Sequence, residues 1–287
     1  MSKTAHQGMQ TKAAARWIDR AIIAVLVLLG IFMLLPFAWL FSMSFRTVAD
    51  AYKMPPSFIP PNLDFKNYAA VLKANVPFLQ IYMNSVMIAV VVTLGQLVTC
   101  TLAAFAFARL KFPGRDSLFF ILLVGLMFPA QVTILPIFLG YAKTGLINKP
   151  IGLALMYLTS SFGVFLMRQF MQSQPKALEE AALMDGAGYL KIFWRISLPQ
   201  LRPALSALAI ITFTQTWNYY FQAKALLGPQ NAMTLPLAMD ILRGYLGSGN
   251  LAVVMAAMSM AVLPVVLLFL LAQKFVIEGV TMSGIRG

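Results

Sequence analysis

Six stretches of this sequence approach or exceed the roughly 20 apolar residues that a helix needs to cross a bilayer core. They cover 21–44, 85–108, 118–141, 151–167, 204–220 and 251–272, and none contains Asp, Glu, Lys, Arg or His. A backbone surrounded by hydrocarbon has to bond to itself, so each run is expected to be a helix. The fold class that follows is an all-α membrane protein with six transmembrane helices. Composition agrees, with 60% of residues hydrophobic and 11% charged, where soluble domains carry about half and about a quarter.

The net charge is +13, which in a soluble chain would point to nucleic acid. Here the basic residues flank the apolar runs, so they read as determinants of topology and as contacts to lipid headgroups, with no nucleic-acid partner. Placing the N-terminus inside puts 14 of the 22 Lys and Arg on the inner side. That excess predicts both termini in the cytoplasm. The expected organisation is a cytoplasmic tail 1–20, a six-helix transmembrane domain 21–275 and a cytoplasmic tail 276–287. The first run is too long for a signal-peptide core, and no small-residue cleavage site follows it, so it is expected to remain in the mature chain.

Cys100 is the sole cysteine and lies within an apolar run, which suits a small core residue and leaves no disulfide within the chain. His6 is the sole histidine and lies in the polar tail. No metal site or Ser/His relay is expected from this set, and no cofactor. Asp19, Asp116 and Glu278 are scattered rather than paired, which speaks against a membrane-embedded enzyme.

The fourth and fifth runs are the shortest and carry polar residues, among them Thr159, Ser160 and Ser161, and Thr212, Thr214, Gln215 and Asn218. Such groups are costly against lipid, so these helices face protein or a water-filled path. Ordinary interhelical hydrogen bonding accounts for each residue singly; the clustering favours a path. Thr214, Trp217, Asn218 and Tyr219 form the candidate path, and Trp217, Asn218, Tyr219 and Tyr220 form an aromatic-polar patch suited to stacking on and hydrogen-bonding a hydroxyl-rich solute. Aromatic side chains at a membrane interface also serve as lipid anchors, and both readings stand.

Two connections are long. The outer one, 45–80, contains Pro55, Pro56, Pro60 and Pro61, predicting a stiff, extended surface segment that could meet an external partner. The inner one carries the segment 172–203. Pro175 suits a helix start, and Glu179 and Glu180 follow near the positive end of the helix dipole. Gly186 and Gly188 are placed to stop or redirect that helix. A second helical piece is expected over 189–196, ended at Leu198-Pro199. Small residues at 181, 182 and 186 let such a helix sit deep in a partner's groove, while an interfacial helix resting on headgroups is the equal alternative.

The residues Glu180-Ala181-Ala182, then Gly186, Ile196 and Leu198-Pro199 at their fixed spacing, resemble the EAA signature of permease subunits in binding-protein-dependent ATP-binding-cassette importers. Further likeness lies in 52–61 with Asn67-Tyr68, in Phe112-Pro113-Gly114-Arg115, in Thr216-Trp217-Asn218, and in the tail 284–287. Together these resemble the second permease subunit of the maltose-type carbohydrate subfamily. The resemblance implies the type I importer permease (MetI-like) fold in a bacterial inner membrane. It also implies an ATPase-docking coupling helix, with contacts at Glu179, Glu180, Ala181, Ala182, Met184, Asp185, Gly186, Ala187, Ile196, Leu198 and Pro199. The implied partners are a second permease subunit, two nucleotide-binding ATPase subunits carrying ATP and Mg, and an extracytoplasmic solute-binding protein, which would meet the exposed, turn-rich outer loop 228–250.

The sequence contains no Gly-x-x-x-x-Gly-Lys-Ser/Thr loop, so this chain is not expected to hydrolyse ATP or to be an enzyme by itself. Energy would come from a partner, exchanging inward-facing and outward-facing states. A secondary transporter or channel acting alone is the rival. Such carriers generally use ionisable groups within the membrane, which the six runs lack, although a backbone-lined ion site stays open.

Overall fold

The computed structural model describes residues 3–55, 57–74, 76–246 and 250–284, with side-chain surroundings for residues 17–242 and 250–274 among them. The regular structure among these residues is entirely helical. The principal helices are α1 (Lys3–Ser44), α2 (Phe78–Arg109), α3 (Arg115–Val124), α4 (Ala130–Thr144), α5 (Pro150–Met156) and α6 (Ser161–Ser173). They continue with α7 (Ala177–Met184), α8 (Tyr189–Ile192), α9 (Arg202–Trp217), α10 (Leu235–Leu246) and α11 (Leu251–Gly284).

Three stretches are unbroken helices long and apolar enough to span a bilayer, Trp17–Ser44, Phe78–Arg109 and Leu251–Lys274. The other three are bent pairs, and taking each pair as one span gives six. The run expected as a single span over 118–141 turns by 101° between Arg115–Met127 and Ala130–Thr144. Its cause is Pro129, which has no N–H to continue a helix and forces the preceding residue out of the helical region. Phe128 accordingly lies at φ −86°, ψ 119°.

The fourth span bends by 45° between Pro150–Met156 and Ser161–Ser173. Unwound backbone inside a membrane needs partners from neighbouring protein, and α2 supplies them. Gln96 Nε2 donates to the Tyr157 carbonyl at 2.9 Å, and Thr99 Oγ1 donates to the Leu158 carbonyl at 2.7 Å. The Ser160 side chain accepts from the Gly163 N–H and starts α6. The polar cluster at 159–161 thus marks a break in a span.

Further differences concern boundaries. The second span begins at Phe78, seven positions before its expected start, and the fifth ends at Trp217, with Asn218 as its cap. Helix α1 runs through most of the segment expected as a tail over 1–20, and α11 runs through most of 276–287. The expected loop 228–250 is largely the helix α10, and its residues 247–249 lie outside the described set.

The Cα positions cluster into two compact units. One comprises residues up to Val71 with Leu246–Ser259. Within it, Asn67 Nδ2 donates to the carbonyls of Ser44 and Arg46 at 2.9 and 2.8 Å, and Tyr68 shares hydrogen bonds with the hydroxyls of Ser44 and Ser259. Arg46 is buried, donating to the Ser57 carbonyl and lying over the Trp39 ring. These contacts close the end of α1 and tie the proline-rich connection to it. The other unit comprises Leu72–Tyr245 and the chain from Met260 onward, and it contains both candidate sites.

Candidate functional site

The inner segment is built on a helix stop with a full set of bonds. In α7 the acidic residues Glu179 and Glu180 occupy the first turn, where the dipole favours negative charge. Pro175 lies just outside, and Lys176 rather than Pro175 precedes the first helical residue. At the other end Gly186 adopts φ +76°. Its N–H bonds to the Leu183 carbonyl at 3.0 Å, and the Ala187 N–H bonds to the Ala182 carbonyl at 2.9 Å. That pair of bonds is the Schellman closure, which needs a left-handed residue at the position Gly186 fills. Gly188, in contrast, is extended at φ −71°, ψ 156° and begins α8. The second helical piece does not end at Ile196: a wide π turn over Phe193–Ser197 carries it into Leu198–Gln200, with Pro199 in a first turn that tolerates its missing N–H.

The signature residues divide into two sets. Ala182, Ala187, Ile196 and Leu198 are half-buried against a core cluster that includes Ala104, Phe105, Met167, Met171, Ile192 and Phe193. Glu180, Ala181, Met184, Asp185, Gly186 and Pro199 are exposed, Met184 at 89%. Glu179 corrects the sequence-based expectation of an outward contact. It is buried, its Oε2 pairs with Arg109 Nε at 2.6 Å, and its Oε1 accepts from Ser197 Oγ at 2.9 Å. Arg109, in the last turn of α2, is a partner within this segment that the sequence reading did not include; its position after the second apolar run was the available signal.

The four candidate path residues differ in exposure and in partners. Trp217 is buried, stacked on Phe213 and edge-on to Tyr82, and its Nε1 donates to the Ala261 carbonyl. It is a packing residue. Thr212 is likewise used inside, donating to Gln96 Oε1 at 2.9 Å. Asn218 is exposed and bonds to the Thr214 carbonyl. Tyr219 is half-buried, its ring 4.5 Å from that of Tyr157, with Thr214 half-buried one turn back. At the outer end Tyr220 donates to Asp240, and Lys224 donates to the Tyr220 hydroxyl, a bond that raises the pKa of the Lys224 ammonium. Helix α10 is fixed from α2, where Ser85 Oγ accepts from the Leu235 N–H at 2.6 Å. No group of three or more His, Cys, Asp or Glu side chains fit to hold a metal occurs among the described residues.

Up to six apolar spans, with a bonded helix stop between the fourth and fifth, define a multi-pass, all-helical membrane protein. Residues 96–281 match the family described as the binding-protein-dependent transport system inner membrane component, and the chain belongs to that family. It is 31% identical to the diacetylchitobiose uptake system permease protein NgcG of Streptomyces coelicolor, over 92% of this chain and 87% of that one. It is 30% identical to the arabinooligosaccharides transport system permease protein AraQ of Halalkalibacterium halodurans, over 80% and 82% of the two chains. The sn-glycerol-3-phosphate transport system permease protein UgpE of Yersinia enterocolitica is 30% identical over 90% and 95%. Among solved structures, a bacterial ABC transporter involved in import of the acidic polysaccharide alginate superposes with a TM-score of 0.75 at 29% identity, covering 89% of this chain and 96% of that one.

Proposed function

We propose that this chain is one of two permease subunits of an importer that moves a sugar or sugar-like solute across a bacterial inner membrane by alternating access. Its partners are a second, different permease subunit, two ATPase subunits that carry ATP and Mg, and an external solute-binding protein. Both termini lie in the cytoplasm, which the distribution of Lys and Arg supports. Support for the solute class comes from relatives whose names specify diacetylchitobiose, arabinooligosaccharides and glycerol phosphate. Support for the external partner comes from a solved alginate importer in complex with its pentasaccharide-bound periplasmic protein. On this chain the solute contacts are Tyr219, Asn218 and Thr214; Trp217 contributes packing alone.

One observation carries the reading: α7 ends in a bonded glycine stop, its inner side packed, while Glu180, Ala181, Met184 and Asp185 are exposed. A short helix with small residues on its free side fits a partner's groove, and closure of the ATPase dimer would then move it. The test is reconstitution of this chain with its ATPase, second permease and receptor. Receptor loaded with solute is expected to stimulate ATP hydrolysis and solute uptake together. Replacing Ala181 with Arg is expected to weaken ATPase association and abolish uptake, and full uptake by that variant would overturn the docking role.

A further inference from the structure

We propose that the buried Arg109–Glu179 ion pair, with Ser197 on the second carboxylate oxygen, is the brace through which displacement of α7 is passed to α2. The proposal rests on the reading that α7 docks on an ATPase subunit. Helix α7 is short, and its chain connections bend at both ends, at extended Gln174 and at left-handed Gly186. Its packing face is made of small side chains, Ala182 and the following Ala187, both half-buried. Such a face offers no bulky side chain to interlock with its neighbours. The ion pair supplies the directional tie that the packing lacks.

Arg109 holds the segment at two points. Its Nε lies 2.6 Å from Glu179 Oε2, and its Nη2 donates to the Gln174 carbonyl at 3.3 Å, just before α7 begins. Both charged side chains are almost fully withdrawn from solvent, at 5% and 9% exposure. Separating them would leave a buried charge without its partner, so the two move together. Ser197 adds a third element, the π turn that leads toward α9.

Arg109 also terminates the helix that bonds to both neighbouring spans. Gln96 of α2 bonds to Tyr157 in the broken fourth span and to Thr212 of α9. A push on α7 is therefore delivered to the end of α2, and from there to the backbone break and to the fifth span. Glu179 and Arg109 act here as positioning residues for the transport cycle.

The test uses the full complex in liposomes and reads solute imported per ATP hydrolysed. Glu179→Gln and Arg109→Gln are each expected to lower that ratio about tenfold, within the usual range of coupling between sites. Ser197→Ala is expected to lower it less, and the exchanged pair R109E/E179R to restore it in part. A purely structural tie would reduce the amount of assembled complex while leaving the ratio unchanged, and that result overturns the brace. If the single variants fail to accumulate, an unchanged ratio in Ser197→Ala overturns it equally. Failure of the docking reading is distinguished separately, by normal ATPase association and uptake in the Ala181→Arg variant.

Discussion

At the scale of single residues, the inner segment contains two glycines two positions apart with different obligations. Neither has neighbouring atoms within 4 Å of where a Cβ would stand, so space does not demand glycine at either. Conformation does at one. Gly186 sits at φ +76°, while Gly188 has an ordinary extended backbone. A left-handed backbone costs an L side chain about 1–2 kcal/mol. Gly186→Ala is expected to lower thermal stability in detergent and to weaken receptor-stimulated ATP hydrolysis in the complex; Gly188→Ala should change neither. Equal effects from both would refute the assignment of the helix stop to Gly186. The sequence showed two adjacent glutamates but not their directions. Neighbours on a helix point about 100° apart, so the two need not share a face, and the inward direction of Glu179 depends on Arg109, some 70 positions away in the chain.

At the scale of elements, the spans were legible from apolar runs because lipid exposure leaves a helix little alternative. Their breaks were less so. Pro129 gave a local reason for the bend after Met127, whereas the gap over 157–160 depends on Gln96 and Thr99 of another helix, a relation no local pattern contains. Helix α10 was read as a loop because the surrounding glycines dominated, although Leu235, Ala238 and Leu242 recur at helical spacing and are buried. The bonds across the break yield a prediction. Gln96→Leu leaves the Tyr157 carbonyl and the Thr212 hydroxyl without their partner, and interhelical bonds of this kind contribute about 0.6 kcal/mol each on average within membranes. A loss of about 1 kcal/mol is expected, read as a lower unfolding midpoint in detergent. Thr99→Val removes one bond and should cost roughly half as much. A Gln96→Leu variant as stable as the parent would show that the unwound carbonyls are satisfied in another way.

At the scale of the whole molecule, the family and helical class were legible because the signature spacing and the apolar runs are both written along the chain. Orientation in the membrane is a different kind of property: it rests on the sum of many weak charges rather than on any contact. Both termini in the cytoplasm require the chain after the fourth span to be inside and the chain after the fifth to be outside. Cys100 makes this directly measurable, since the chain's one native thiol is fully buried and should stay silent toward an impermeant maleimide. Met184, 89% exposed after the fourth span, and Gln230, exposed after the fifth, are suitable positions for single cysteines. In inner-membrane vesicles that lack the ATPase subunit and whose cytoplasmic face points outward, Met184→Cys is expected to label without detergent and Gln230→Cys only after the membrane is dissolved. Intact spheroplasts should give the reverse. Labelling of Met184→Cys in spheroplasts would place α7 on the side without ATP, and no motor subunit could then drive it.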